Sequence, residues 1–189
     1  MIEAIQSIDA AILLFIQNNI RGGLLTPIMV FFTTIGDNGY IWLALGVVLM
    51  FFKKHRKMGF YIILCIGLSW IVNDRIIKPI VCRPRPFLTV PGLEAIVPLP
   101  HSFSFPSGHA CAGFCGAVVL TRFRGGKLAP IFLLAVVIAL SRIYVGVHYP
   151  SDIVAGALVG TLCGLLFTWI LLRWLDKPAS KLLRTPEGK

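Results

Sequence analysis

The chain has 189 residues, 57% of them hydrophobic and only 14% Asp, Glu, Lys or Arg. Soluble domains run nearer ~45–50% apolar, so this composition excludes an ordinary water-soluble protein and points to one membrane-embedded domain over residues 1–189. The net charge is +10, but no basic stripe with interleaved aromatics occurs, so nucleic acid is excluded as a partner and the basic residues read as a topology signal.

The N-terminus, Met1-Ile-Glu-Ala-Ile, lacks the basic start of a cleaved signal peptide. Residues 8–20 and 24–36 are apolar but are separated by Asn18-Asn19 and Arg21-Gly22-Gly23. Three courses are open for residues 1–36: an interfacial helix plus a crossing, a bent span, or two half-helices. Further apolar runs lie at 39–52, 58–77, 108–121, 128–147 and 153–175. Each reads as a helix, because a chain in hydrocarbon must satisfy its own backbone hydrogen bonds. The run at 108–121 is short and must extend into its polar ends. The expected fold is therefore an all-α polytopic bundle, with five clear spans and a sixth from the N-terminal region. Residues 177–189 carry Pro178 and Pro186 and read as a polar cytoplasmic tail. Five cysteines (65, 82, 111, 115, 163) show no metal-ligand spacing. Four lie in apolar runs, where small buried thiols are common. Cys82 lies beside polar residues, and packing is the simpler expectation there too. No metal and no cofactor are expected.

Three polar patches interrupt the apolar chain: Lys78 to Pro86, Pro106-Ser107-Gly108-His109, and Ser141-Arg142 with His148 and Asp152. Alternating the sides of successive helices puts Lys53-Lys54-His55-Arg56-Lys57, Arg122 to Lys127 and the tail lysines on one face. All three polar patches fall on the other. The basic face is cytoplasmic by the positive-inside rule, so the patches face away from the cytoplasm.

Ionisable residues in or near a bilayer are costly and rarely idle. Arg85 and Arg142 offer planar forks that match phosphate oxygens, and Lys78 adds a point charge. Pro106-Ser107-Gly108-His109 reads as a helix start, with Ser107 as cap and Gly108 allowing close approach of the backbone to an anion. His148 and Asp152 flank a turn. If that turn curls back, the carboxylate holds one imidazole nitrogen and leaves the other free to attack. Plainer readings exist for single residues. Arg75 and Arg83 suit helix-end anchors as well as they suit a site. Asp74, four residues before Lys78, suits a simple helical pair.

Together Lys78, Arg85 and Pro86, then Pro106 to His109, then Ser141, Arg142, His148 and Asp152 resemble the three signature motifs of the type 2 phosphatidic acid phosphatase superfamily. All motif positions match. The resemblance implies a membrane helical bundle in which His148 is the nucleophile, Asp152 orients it and His109 protonates the leaving group. It assigns Lys78, Arg85, Ser107, Gly108 and Arg142 to the phosphate, with no metal. In small bacterial members an outward site implies hydrolysis of undecaprenyl pyrophosphate. Phosphatidate or phosphatidylglycerol phosphate are the alternatives, since these motifs read the phosphate and not the tail. A transporter or scramblase that binds a lipid phosphate without hydrolysis is the expectation from another class, and an oriented His148 argues against it. The partners expected are a lipid phosphate and membrane lipids. The loop at 87–105 is expected to cover the site, with Glu94 and His101 as weaker substrate contacts.

Overall fold

A computed structural model describes residues 2–124 and 129–175, and all regular structure within them is helical. The tail expected at 177–189 and part of the basic loop at 122–127 lie outside the described residues. Helix α1 (Ile2–Asn19) is two-faced. Leu13 and Asp9 are buried toward α8 and α9, defined below, while Ile5, Ile8 and Phe15 are exposed. Helices α2 (Leu25–Ile35) and α3 (Tyr40–Phe51) meet at a 48° bend across Gly36 and a tight turn at Asp37–Gly39. Asn38 and Gly39 take positive φ there (48° and 71°), a conformation open to Gly and Asn at little cost, which breaks the helix.

Helix α4 (Arg56–Trp70) continues through a π-helical segment, Ile71–Ile77, into α5 (Lys78–Val81). A short helix α6 (Pro86–Thr89) follows. The bundle closes with α7 (Gly108–Arg124), α8 (Ala129–Tyr144) and α9 (Pro150–Leu175). By length and composition, the stretches Arg56–Thr89 and Pro150–Leu175 are apolar enough to cross a membrane, and the bent pair α2 and α3 makes a third if counted as one span. The expected separate span at 39–52 is thus the second arm of a bent pair that begins at Leu25, and the break falls at 36–39. Helix α7 reads as too short and too polar because protein rather than lipid surrounds it. Nine of its residues are buried, from Ala110 to Leu120.

Helix α7 stands at the centre, packed by α4, α8 and α9. Trp42 of α3 lies flat on Gly116, where a Cβ would sit 2.9 Å from the indole. Trp42, Tyr61, Ile62, Val119 and Ile138 fill the core around it. The tightest contact is between α7 and α9. Gly156, Gly160 and Gly164 recur every four residues and face the backbone oxygens of Ser107, Cys111 and Cys115. Small residues at this spacing let two helix backbones approach closely. A Cβ on Gly160 would lie 2.2 Å from the Cys111 oxygen. We therefore expect Gly160→Leu to cost roughly 1–3 kcal/mol through overpacking, read as a lowered thermal midpoint in detergent. Gly67→Ala, with no atom within 4 Å of its Cβ, should leave the midpoint unchanged or raised.

Candidate active site

The close approach of α7 to α9 sets the site's frame. The Ser107 N–H donates to the Asp152 carbonyl at 3.0 Å, so the start of α7 is tied to the first turn of α9. Ser107 is fully buried and caps α7, its hydroxyl accepting from the Ala110 N–H at 3.5 Å. His109 follows on the first turn. The turn after α8 carries Gly146 at φ 79° and brings His148 down beside Asp152. The three polar patches, widely separated in sequence, line one cavity of about 410 Å³.

His148 is 2% exposed. Its Nδ1 lies 3.2 Å from Asp152 Oδ2, and its Nε2 lies 3.0 Å from Arg85 Nη1. Arg85 has only protons to donate, so Nε2 is the lone-pair nitrogen and Nδ1 carries the hydrogen toward Asp152. Burial, with Arg85 and Arg142 nearby, holds His148 well below the usual imidazole range. A hydrogen on Nδ1 and a lone pair on Nε2 describe the neutral form of the ring. Asp152 is fully buried and each of its oxygens is engaged. Oδ1 accepts from Arg83 at 2.7 Å, and Oδ2 accepts from the Tyr149 N–H at 3.0 Å and from the Ser104 hydroxyl.

The three cations line the cavity and are almost buried: Lys78 at 6%, Arg85 at 4% and Arg142 at 5% exposed. Arg85 is held by the Ser102 and Val147 carbonyls at 2.8 and 2.9 Å. Arg142 donates to the Thr33 hydroxyl, and its Nε has no partner. Lys78 is paired with Asp74, as the four-residue spacing predicts. His109 Nε2 lies 3.2 Å from both the Thr33 carbonyl and Asp37 Oδ1. Gly108 lines the cavity beside Lys78 and Asp74. Among the described residues, no group of three or more His, Cys, Asp or Glu side chains is placed to hold a metal ion.

Of the two readings left open for Arg83, its contacts favour the site over a helix-end anchor. It is largely buried between Asp9 and Asp152, 2.7 Å from each. Glu94 and His101 are exposed and do not line the cavity. The loop at 87–105 does wall it, through Ile96, Val97, Pro98, Pro100 and Ser102. Arg21 and Gln17 pin that loop by its backbone at Glu94 and Gly92. Arg75 is exposed and rests over the Trp70 ring. Sequence reasoning misses Asp9, Thr33, Asp37, Asn73 and Ser104. Asp9, an acid inside an apolar run, was a legible signal. Asn73 became visible only once the π-helical segment turned it, fully buried, onto the Pro106 carbonyl at 3.3 Å.

Residues 55–176 match the model of the PAP2 superfamily. The chain is 34% identical over 138 residues to an undecaprenyl-diphosphatase of Sulfolobus acidocaldarius, covering 72% of this chain and 66% of that one. The crystal structure of Aquifex aeolicus LpxE superposes with a TM-score of 0.73 at 34% identity, over 87% of this chain and 94% of that one. A transmembrane PAP2-type phosphatidylglycerolphosphate phosphatase of Bacillus subtilis superposes with a TM-score of 0.75 at 26% identity, over 90% and 88%. With the family model spanning all three polar patches and the bundle shared with these solved structures, the chain belongs to the PAP2 superfamily of membrane lipid phosphatases.

Proposed function

We propose that this protein removes a phosphate from a lipid (pyro)phosphate, foremost undecaprenyl pyrophosphate, through a phosphohistidine on His148 and without a metal. The observation that carries this is the arrangement of His148. One nitrogen is fixed on Asp152, and the lone pair of the other meets a cavity lined by Lys78, Arg85 and Arg142. The cations, the Gly108 backbone and Ser107 hold the phosphoryl oxygens as charge develops in the transition state. His148 Nε2 attacks phosphorus and the bond to the leaving oxygen breaks, with His109 supplying the proton. Water then attacks the phosphohistidine, His109 takes its proton, and inorganic phosphate leaves. Asp152 stabilises the cationic ring throughout.

Beside its charged residues the cavity is lined by Val30, Ile66, Trp70 and Ile96. That suits a phosphate head whose tail stays in the bilayer. The polyprenyl substrate is supported by the relative named undecaprenyl-diphosphatase. The neighbour named for phosphatidylglycerolphosphate supports the second reading, a glycerolipid phosphate. The proposed topology has six passes. Its basic loops at 53–57 and 122–127 and its tail are cytoplasmic, and the cavity opens on the opposite face.

Purified protein in detergent with EDTA should release phosphate faster from undecaprenyl pyrophosphate than from phosphatidate or phosphatidylglycerol phosphate. Preference for a glycerolipid would move the substrate assignment and leave the site intact, whereas loss of turnover in EDTA would remove the metal-free mechanism. His148→Ala should lower turnover by roughly a thousandfold or more while lipid binding, read by equilibrium partitioning, stays within a few-fold. Full hydrolysis by this variant would overturn the phosphohistidine. For topology, a cysteine placed at position 125 of a Cys82→Ser chain should resist an impermeant maleimide on intact cells, and prompt labelling would reverse the orientation.

A further inference from the structure

We infer that Asp9 and Arg83 are a positioning pair, in which Asp9 of α1 shares the charge of Arg83 and so sets how strongly Asp152 supports His148. This rests on His148 being the nucleophile. Asp9 is 3% exposed on a helix that otherwise carries exposed Ile5, Ile8 and Ile12. A carboxylate so placed is costly unless fully paired, and it is. Arg83 Nη2 donates to Asp9 Oδ2 at 2.7 Å, and the Ser151 N–H donates to Asp9 Oδ1 at 3.0 Å. The Ser151 hydroxyl also donates to Asp9. The other arm of Arg83 reaches Asp152 Oδ1 and the Ser151 hydroxyl, both at 2.7 Å. Its guanidinium carbon stacks 3.8 Å above the Tyr149 ring.

One cation therefore stands between two carboxylates. Were Arg83 bonded to Asp152 alone, it would cancel the negative charge that a cationic His148 needs during phosphoryl transfer. Asp9 takes part of that cation, and the cluster of Asp9, Arg83 and Asp152 keeps one net negative charge facing His148. On its other sides His148 faces Arg85 ahead of α6, Arg142 on α8, His109 on α7 and Lys78 on α5. All of these oppose its protonation, and Asp37 acts on His109 from beyond them. Asp152, backed by Asp9, is the counterweight.

A pair that merely ties α1 to the bundle would affect stability and leave the titration of His148 unmoved. The test therefore follows that titration directly, by 15N-histidine NMR of the full chain in detergent. The His148 resonances are assigned by their loss in His148→Gln, and phosphate release is measured in parallel. Asp9→Asn keeps the shape and an acceptor for Ser151 while removing the charge. Its His148 midpoint should fall by roughly half a pH unit, and kcat should drop about tenfold with KM within about twofold. Arg83→Gln bares Asp152 and should move the midpoint the other way. Opposite shifts support the pair. An unmoved midpoint in Asp9→Asn, or shifts in the same direction, overturns it. If Arg83→Gln does not fold, the direction in Asp9→Asn alone decides. A wild-type chain that titrates normally yet releases no phosphate from any of the three lipids would overturn the catalytic role together with the phosphatase proposal. Turnover by wild type with an unmoved Asp9→Asn midpoint overturns only this inference.

Discussion

The approach of α7 to α9 is the constraint on which the site depends. Gly156, Gly160 and Gly164 put no side chain of α9 against the α7 backbone, and the Ser107 N–H reaches the Asp152 carbonyl at 3.0 Å. That single backbone bond joins two of the three polar patches. It aligns the start of α7 beside the turn that carries His148. A bulkier α9 face would push the patches apart by a side chain's width, and the helix start would no longer share a cavity with the imidazole. Fold and chemistry here rest on the same glycines.

Burying three cations in one cavity costs far more than their hydrogen bonds return unless counter-charge is at hand. Asp74 holds Lys78, and Thr33 and the Ser102 and Val147 carbonyls hold the two arginines. Yet this pairing is incomplete. Arg142 Nε is buried with no partner, and Arg85 spends one donor on a neutral imidazole. A cavity with more positive charge than its own acceptors satisfy is matched to an anion with several oxygens. The partly unmet donors are what the proposed phosphoryl binding would satisfy.

Much of the site was legible in the sequence because its charged residues stand out against an apolar background. Lys78, Arg85, His109, Arg142 and His148 are separated in the chain but line one cavity, with Asp152 buried behind His148, and the alternation of helix directions predicts that they share one face. The partners of these residues were not legible. Thr33 acts on Arg142 through a hydroxyl, and on His109 through a carbonyl that every residue possesses. No pattern distinguishes such a threonine from others in an apolar helix. Asn73 depends on a π-helical segment that rotates the following residues away from α-helical phase. The number of crossings was hard to read for a related reason. Hydropathy reports contact with lipid, and α7, rich in Gly, Ala and Cys, touches mostly protein.

The N-terminal segment completes the argument about charge. The family match begins at residue 55, yet residues before it reach both imidazoles. Asp37 and Thr33 contact His109 at 3.2 Å, and Asp9 reaches the neighbourhood of His148 through Arg83 and Asp152. Two carboxylates from outside the matched region thus stand behind the two histidines. The bend at 36–39 and the buried face of α1 exist where these contacts require them. An uninterrupted helix across Gly36 would swing Asp37 away from His109, and an α1 with an apolar residue at position 9 would leave Arg83 to neutralise Asp152 alone. In the proposed reaction the polar patches hold the phosphate, and the N-terminal helices place Asp9 and Asp37 as counter-charge beside a cavity lined by three cations.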